Sequence, residues 1–253
     1  MSLNVSKADM YAWLDYTTNP LAGKCPHDCR YCYMKRPPVC WLQKYKGDLR
    51  FDEKFKAYWN YPKLSRKKLS INRHVNLPFI PEDVPIIFVG SGNDLGVAPR
   101  DILLSILWRC NSLYDYYYFF QSKSLLSFVE LRDRFPPFTI FGTTIETDHV
   151  DLCKKYSKAP PPYMRADRLR LVADKRFGTR HGMVSVEPQM KFNPDKLAEL
   201  ILSSNPSFVS IGADSGRNNL PESNWEEILE LKAILEKETL VLLKDNLERI
   251  KGE

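Results

Sequence analysis

The feature that most constrains this 253-residue chain is a recurring short apolar run that ends on glycine or a polar residue and leads into a stretch with helical spacing. Pro85-Ile86-Ile87-Phe88-Val89 closes on Gly90-Ser91-Gly92, and residues 116–120, 138–145, 182–186, 208–212 and 239–243 repeat the pattern. Residues 100–110, 125–135, 165–175, 194–203 and 225–236 place apolar side chains three and four apart, the period of a helix packed on one face. Residues 11–18 form a candidate first strand leading into a loop. Runs that are apolar at every position suit parallel strands buried on both faces. Strands alternating with helices imply right-handed βαβ units. No Gly-x-Gly-x-x-Gly opens the first helix, which disfavours a dinucleotide-binding sheet. The expected fold class is therefore α/β, a partial (β/α)6-type TIM barrel. One domain is expected over residues 1–253, with a basic and aromatic excursion, including a helix, at about 34–84. Barrels carry their chemistry at the C-terminal strand ends. Here that rule selects Gly90 to Asp94, Gln121 to Lys123, Thr144 to Thr147, Glu187, Asp214 and Lys244.

Composition narrows the classes. Hydrophobic residues are 43% and charged residues 27%, which excludes a disordered tail. No apolar stretch reaches the roughly 18–20 residues of a membrane helix. The polar start, Met1 to Asp9, lacks the apolar core of a secretory signal. A cytoplasmic protein with no membrane partner is expected. The net charge of +6 permits an anionic partner without requiring one.

Three of the six cysteines crowd into one loop, Cys25-Pro26-His27-Asp28-Cys29-Arg30-Tyr31-Cys32, a Cys-x3-Cys-x2-Cys spacing. Cys40, Cys110 and Cys153 are scattered and read as ordinary packed or partly exposed thiols. Without a secretory signal, such a cluster reads as metal-binding or catalytic. Three thiolates on one loop can reach three corners of a cubane, whereas iron–sulfur clusters are commonly held by four. The open iron is what S-adenosylmethionine needs to chelate through its amino and carboxylate groups. The rival is a Cys3His zinc site with His27 or His74 as fourth ligand, although structural zinc motifs usually come as two separated pairs and no second pair occurs here.

The cysteine loop, with its aromatic residue before the last cysteine and β/α units filling essentially the whole chain, resembles the radical S-adenosylmethionine superfamily. Within it, Asn19-Pro20-Leu21-Ala22-Gly23-Lys24-Cys25, Val184-Ser185-Val186-Glu187-Pro188 and Ile211-Gly212-Ala213-Asp214-Ser215-Gly216 resemble a phage-associated family of uncharacterised function; the likeness to spore photoproduct lyase is more distant. The resemblance implies a 4Fe-4S cluster on Cys25, Cys29 and Cys32, with Tyr31 packed beside it. It implies that Gly90, Ser91, Gly92, Asn93 and Asp94 meet the methionine amino group, glycines allowing the backbone to come close. Asp94 has a second reading as a helix cap. Ser122 and Lys123 would face the methionine carboxylate, Lys123 being otherwise a solvated charge. Thr144 and Glu146 share a face, since strand side chains repeat every two residues; they would meet the ribose hydroxyls, Glu146 being otherwise a surface carboxylate. Ser185, Glu187 and Asp214 would hold adenosine or substrate. Lys158 to Arg165, with Arg168 and Arg170, resembles a basic arm that meets phosphate or carboxylate, or else is a solvated helix face.

The implied activity is reductive cleavage of S-adenosylmethionine, with electrons from a reductant such as flavodoxin or ferredoxin. The resulting 5′-deoxyadenosyl radical would abstract hydrogen in a lyase- or isomerase-type reaction. Gly92 stands where spore photoproduct lyase carries its cysteine hydrogen donor, which argues against the same lesion repair. Lys63, Arg66, Lys67, Lys68, Arg73 and His74, flanked by Tyr58, Trp59 and Tyr61, interleave basic and aromatic residues as a nucleic-acid or nucleotide surface does. A solvated face, a peptide or a small metabolite are the alternatives. Two further classes stay open: a non-catalytic zinc-stabilised nucleic-acid-binding module, and an enzyme that uses the cluster without releasing a free radical.

Overall fold

A computed structural model describes residues 3–6, 10–52, 69–113, 115–174 and 179–252. Seven strands run parallel in one sheet: β2 (Tyr16–Thr18), β5 (Ile86–Val89), β6 (Tyr117–Gln121), β7 (Thr139–Thr144), β8 (Arg180–Val186), β9 (Phe208–Ile211) and β10 (Leu240–Leu243). A short β1 (Asn4–Val5) pairs antiparallel with β2 at one edge. The sheet order is β1-β2-β5-β6-β7-β8-β9-β10, so among the described residues the two edges do not pair and the barrel is partial. A separate hairpin pairs β3 (Leu21–Ala22) with β4 (Arg50–Phe51).

Strand periodicity sorts the side chains onto two faces. Ile87, Val89, Tyr118, Phe120, Phe141, Val184, Val186, Val209 and Ile211 turn outward under the helices. Ile86, Phe88, Tyr117, Phe119, Ile140, Met183 and Phe208 turn inward. Trp13 plugs this inner face, its ring meeting Phe119 and Phe208 edge-on at centroid distances of 4.9 and 5.1 Å. Following each inner row upward, the side chains become polar: Phe119 gives way to Gln121, Ile140 to Thr144, and Met183 to Ser185. The floor of the barrel is thus apolar and its C-terminal mouth polar.

The helices α1 (Arg100–Asn111), α2 (Leu126–Glu130), α3 (Val150–Tyr156), α4 (Pro162–Val172), α5 (Pro194–Ser203), α6 (Trp225–Leu235) and α7 (Glu248–Lys251) follow the strands. Their starts are written in the sequence. Asn193 caps α5 through the Lys196 N–H with Pro194 in the first turn, and Asn224 and Glu227 form a capping box on α6. The segment below the barrel is fastened by Asp15, whose buried carboxylate accepts from the Asn72, Arg73 and Ile86 N–H groups and pairs with Arg73 at 2.9 Å.

Several expectations need correction. The seven parallel strands are the seven that the sequence runs predict, whereas β1, the β3–β4 hairpin and α3 carry no strong period in the sequence. Of the stretch 34–84 the described residues form single 3-10 turns at Tyr33–Lys35, Val39–Trp41 and Gln43–Tyr45 and the strand β4, and the rest of the span in which a helix is expected, residues 53–68, lies outside the described residues. Arg73 does not offer its charge to a nucleic acid, because Asp15 and the carbonyls of Pro81, Glu82 and Val84 take its donors. Tyr58, Trp59, Tyr61, Lys63, Arg66, Lys67 and Lys68 lie outside the described residues. Among the described residues no helix is long and apolar enough to cross a membrane.

Phe119 is fully buried and holds the inner plug together. Phe119→Ala should lower unfolding free energy by about 3–5 kcal/mol, read as a reduced midpoint in urea denaturation.

Candidate active site

A cavity of about 970 Å³ opens at the polar mouth. It is lined by Cys25, Cys29, Tyr31 and Cys32 from the loop after β3, and by Gly90, Ser91, Gly92, Asn93 and Asp94 after β5. Ser122 and Lys123 after β6, Thr144 of β7, Ser185 and Glu187 at the end of β8, and Asp214 after β9 complete it. Glu146, also expected there, does not line the cavity. It is fully buried behind it.

The cysteine loop is stitched to α3. Arg30 N–H donates to the Tyr156 carbonyl at 2.8 Å and Lys158 N–H to the His27 carbonyl at 2.7 Å. Asp28, at φ 49°, provides the left-handed bend between the first two cysteines. Lys35 and Lys158 beside its carboxylate hold that group well below the usual carboxylate range. Burial pushes the Cys25 thiol up to about 12, helped by Asp94 and by the other two cysteines. Burial also raises Cys32. Cys29 Sγ sits 3.1 Å from Ser157 Oγ. Burial thus favours the protonated form of Cys25 and Cys32, so these soft donors would need a positive charge beside them to ionise. Iron would supply it, and thiolates are its usual ligands in iron–sulfur clusters. Among the described residues no group of three or more His, Cys, Asp or Glu side chains is gathered as around one ion.

Behind the loop, Glu146 collects three donors. Lys123 Nζ approaches Oε1 at 2.6 Å, Arg165 Nη1 approaches Oε2 at 2.6 Å, and the Tyr31 hydroxyl donates to Oε1. The Lys123 ammonium also lies 5.0 Å from the Tyr31 ring centre. Burial alone would raise the Glu146 carboxyl, but Arg165 and Lys123 overcome it and hold the group below the usual range. The basic arm therefore meets a carboxylate, and that carboxylate is internal. Arg165 is completely buried, whereas Arg170 is exposed and pairs with Asp167.

The turn after β5 is equally saturated. Gly90 adopts φ 91°, a conformation other residues rarely take. Gly92 N–H and the Ser91 hydroxyl both donate to Asn19 Oδ1. Asp94 accepts from the Gly96 N–H at 2.9 Å, Ser122 Oγ at 2.5 Å and the Lys123 N–H at 2.9 Å, while His27 Nε2 lies 3.0 Å from Oδ2. Burial would raise this carboxyl, and His27, Ser122 and the Lys123 N–H bring it below its ordinary value. Asp94 thus caps its own turn while facing the cavity.

On the opposite wall Glu187 binds Lys244 at 2.8 Å and Asn246 at 2.9 Å, tying β8 to the end of β10. Lys244 also donates to the Met10 carbonyl at 2.5 Å. Ser185 Oγ and Gln121 Oε1 lie 3.2 Å from the Tyr11 hydroxyl, which forms the cavity floor.

In fold, the chain is similar to spore photoproduct lyase. One structure of that enzyme, complexed with a dinucleoside spore photoproduct, superposes with a TM-score of 0.57 at 15% identity over 94% of this chain and 65% of that chain. A point variant of spore photoproduct lyase gives 0.60 at 12% identity over 98% and 76%. SuiB of Streptococcus suis, bound to its precursor peptide SuiA, gives 0.59 at 10% identity over 90% of this chain and 48% of that one. The chain thus spans about two thirds of the dinucleoside-bound spore photoproduct lyase and about half of SuiB. Spore photoproduct lyase and SuiB have both been solved with S-adenosylmethionine bound. No protein-family model and no curated protein matches the chain. The likeness supports the partial barrel shared with spore photoproduct lyase; it does not extend specifically to the phage-associated family.

His27 against Asp94, Asn19 under Gly92, Tyr11 on the floor and Arg165 behind the wall were not assigned these places from sequence. A polar residue just after a strand marks the mouth, a rule that Asn19, directly after β2, obeys and Arg165 does not.

Glu146 contributes stability present in full above its unfolded-state pKa of about 4.3. That contribution is lost as the pH falls from there toward the lower folded value. Urea midpoints should fall on acidification below about pH 5. The decline should be shallower in Glu146→Gln, which at pH 7 should already be less stable by about 3–5 kcal/mol because buried Arg165 loses its partner.

Proposed function

We propose that the protein is a radical S-adenosylmethionine enzyme. The observation that carries this reading is that Cys25, Cys29 and Cys32 open onto one cavity with Lys123 and the glycine turn after β5, at the C-terminal mouth of a partial barrel. The likeness in fold to proteins solved with S-adenosylmethionine supports it.

Cys25, Cys29 and Cys32 would hold a 4Fe-4S cluster with one iron left open. When bound and reduced, that cluster supplies cleavage of S-adenosylmethionine to methionine and a 5′-deoxyadenosyl radical. The chain's residues do the rest by position. Gly90, Ser91, Gly92 and Asn93 bring backbone close to the amino acid part of the cofactor. Asp94 contributes negative charge to the same wall, held ionised by His27 and Ser122. Lys123 keeps its ammonium charged beside Glu146 and would offer it to the cofactor carboxylate, and the Tyr31 hydroxyl contacts both Lys123 and Glu146. Thr144 sits where ribose hydroxyls would lie. Ser185, Glu187 and Asp214 form the wall for adenosine or substrate. The apolar plug below Tyr11 shuts water out of the floor, which protects reactive species.

For the substrate we favour a nucleotide or modified DNA base, in a lyase- or isomerase-type reaction. Spore photoproduct lyase has been solved with a dinucleoside spore photoproduct bound. The SuiB structure holds a peptide, which keeps a peptide or small metabolite as the second reading. A flavodoxin- or ferredoxin-type reductant would supply the electron.

Anaerobic reconstitution with iron and sulfide should give brown protein that forms 5′-deoxyadenosine from S-adenosylmethionine and dithionite. Cys25→Ala, Cys29→Ala and Cys32→Ala should each abolish it. Colourless protein carrying one zinc ion would overturn the reading in favour of a zinc-stabilised module. Brown protein that consumes S-adenosylmethionine without yielding 5′-deoxyadenosine would indicate cleavage at another carbon of the sulfonium.

A further inference from the structure

We propose that Arg36 anchors an oxyanion, phosphate or carboxylate, carried by the substrate of this cavity. The inference gives the radical-enzyme reading a substrate chemistry and rests on it. Arg36 follows the cysteine loop and lines the cavity at its rim. Facing it is the loop after β9. That loop is wound about Asp214, whose carboxylate accepts from the Gly216 N–H at 3.1 Å, from the Asn218 N–H, and from Asn218 Nδ2 at 2.5 Å. The carboxylate is thereby committed to its own loop. Among the described residues it is the only partner of the Arg36 guanidinium, and it stands 4.0 Å away.

A guanidinium carries five donors in a rigid fork that matches an oxyanion bidentately. Here that fork has a seat and no close acceptor. The seat is Gly216: a Cβ at that position would fall on the guanidinium itself. The other rim cations are differently placed. Lys35 is paired with Asp28 at 2.6 Å, and Lys244 is held by Glu187 and the Met10 carbonyl. Lys24 stands exposed on the rim and adds positive potential. Arg36 is the rim cation that lies against a glycine and whose guanidinium has no partner within hydrogen-bond distance among the described residues. An oxyanion held there would place the rest of the substrate inward, over the cavity shared with the cysteines.

The test is equilibrium dialysis on reconstituted protein with two probe pairs, thymidine 5′-monophosphate against thymidine, and a dipeptide against its C-terminal amide. Wild type should bind the charged member of one pair about tenfold or more tighter, the scale of a hydrogen-bonded charge contact. The pair that shows it tells phosphate from carboxylate. Arg36→Ala should erase the preference, and Gly216→Ala, which keeps the arginine but fills its seat, should reduce it. A preference in neither pair, or one that survives Arg36→Ala, overturns the proposal. Dithionite-driven formation of 5′-deoxyadenosine on the same preparations reports the cofactor reading separately. Charge preference without that product would leave the anchor standing and remove the radical chemistry.

Discussion

The mouth of this barrel depends on one buried carboxylate. Glu146 has no solvent to stabilise its charge, so its ionisation rests on Lys123, Arg165 and Tyr31. Each of those donors comes from a different element: the end of β6, helix α4 and the cysteine loop. A single anion therefore fixes three pieces of backbone relative to the end of β7. The three-way arrangement also explains why a charge is tolerated there. An isolated buried ion costs several kcal/mol, and removal of any one donor would leave the others facing an incompletely neutralised group. The network aims Lys123 as well. Its ammonium is held at the cavity edge by an anion behind it, leaving one flank toward the space where a ligand carboxylate would sit.

The cysteine loop makes the complementary argument. Cys25 and Cys32 are buried enough, and Cys25 near enough to Asp94, for the thiol form to be favoured. Ligation requires thiolates, so loading must expel protons, and affinity for the metal must rise with pH. A loop of this kind would become strongly ligating only where a metal replaces those protons. The backbone bonds from Arg30 and Lys158 to and from α3 hold the loop in place independently of the sulfurs.

How much of this was legible in sequence follows from the range of the forces involved. The parallel strands and helices α1, α5 and α6 were readable because local periodicity and caps such as Asn193 and Asn224 act within a turn. The inward alternation of Met183, Ser185 and Glu187 gave the mouth residues by the same reasoning. What failed was set by partners distant in the chain. Glu146 reads as either a ligand contact or a surface carboxylate until α4 delivers Arg165, and nothing local separates Arg165 from Arg170. Arg73 belongs to a basic run, yet Asp15 lies far away in sequence and claims it. Helix α3 is too short to show a period, and the turns between Tyr33 and Tyr45 have none.

The same distinction bears on function. A strand places a side chain in the mouth by register alone, but whether that side chain is free to act depends on what saturates it. Asp94 and Asp214 both face the cavity, and both accept from N–H groups of their own turns, Asp94 also from the Lys123 N–H after β6. Their carboxylates shape loops first and meet ligands second. Lys123 and Arg36 are the reverse, cations set by neighbours at one edge and open at the other. The cavity is thus walled by spent anions and by cations with donors to offer, on a floor of aromatic rings. On the reading proposed above, such a chamber would hold a substrate by its negatively charged groups and leave its carbon framework to the chemistry of the cysteine loop.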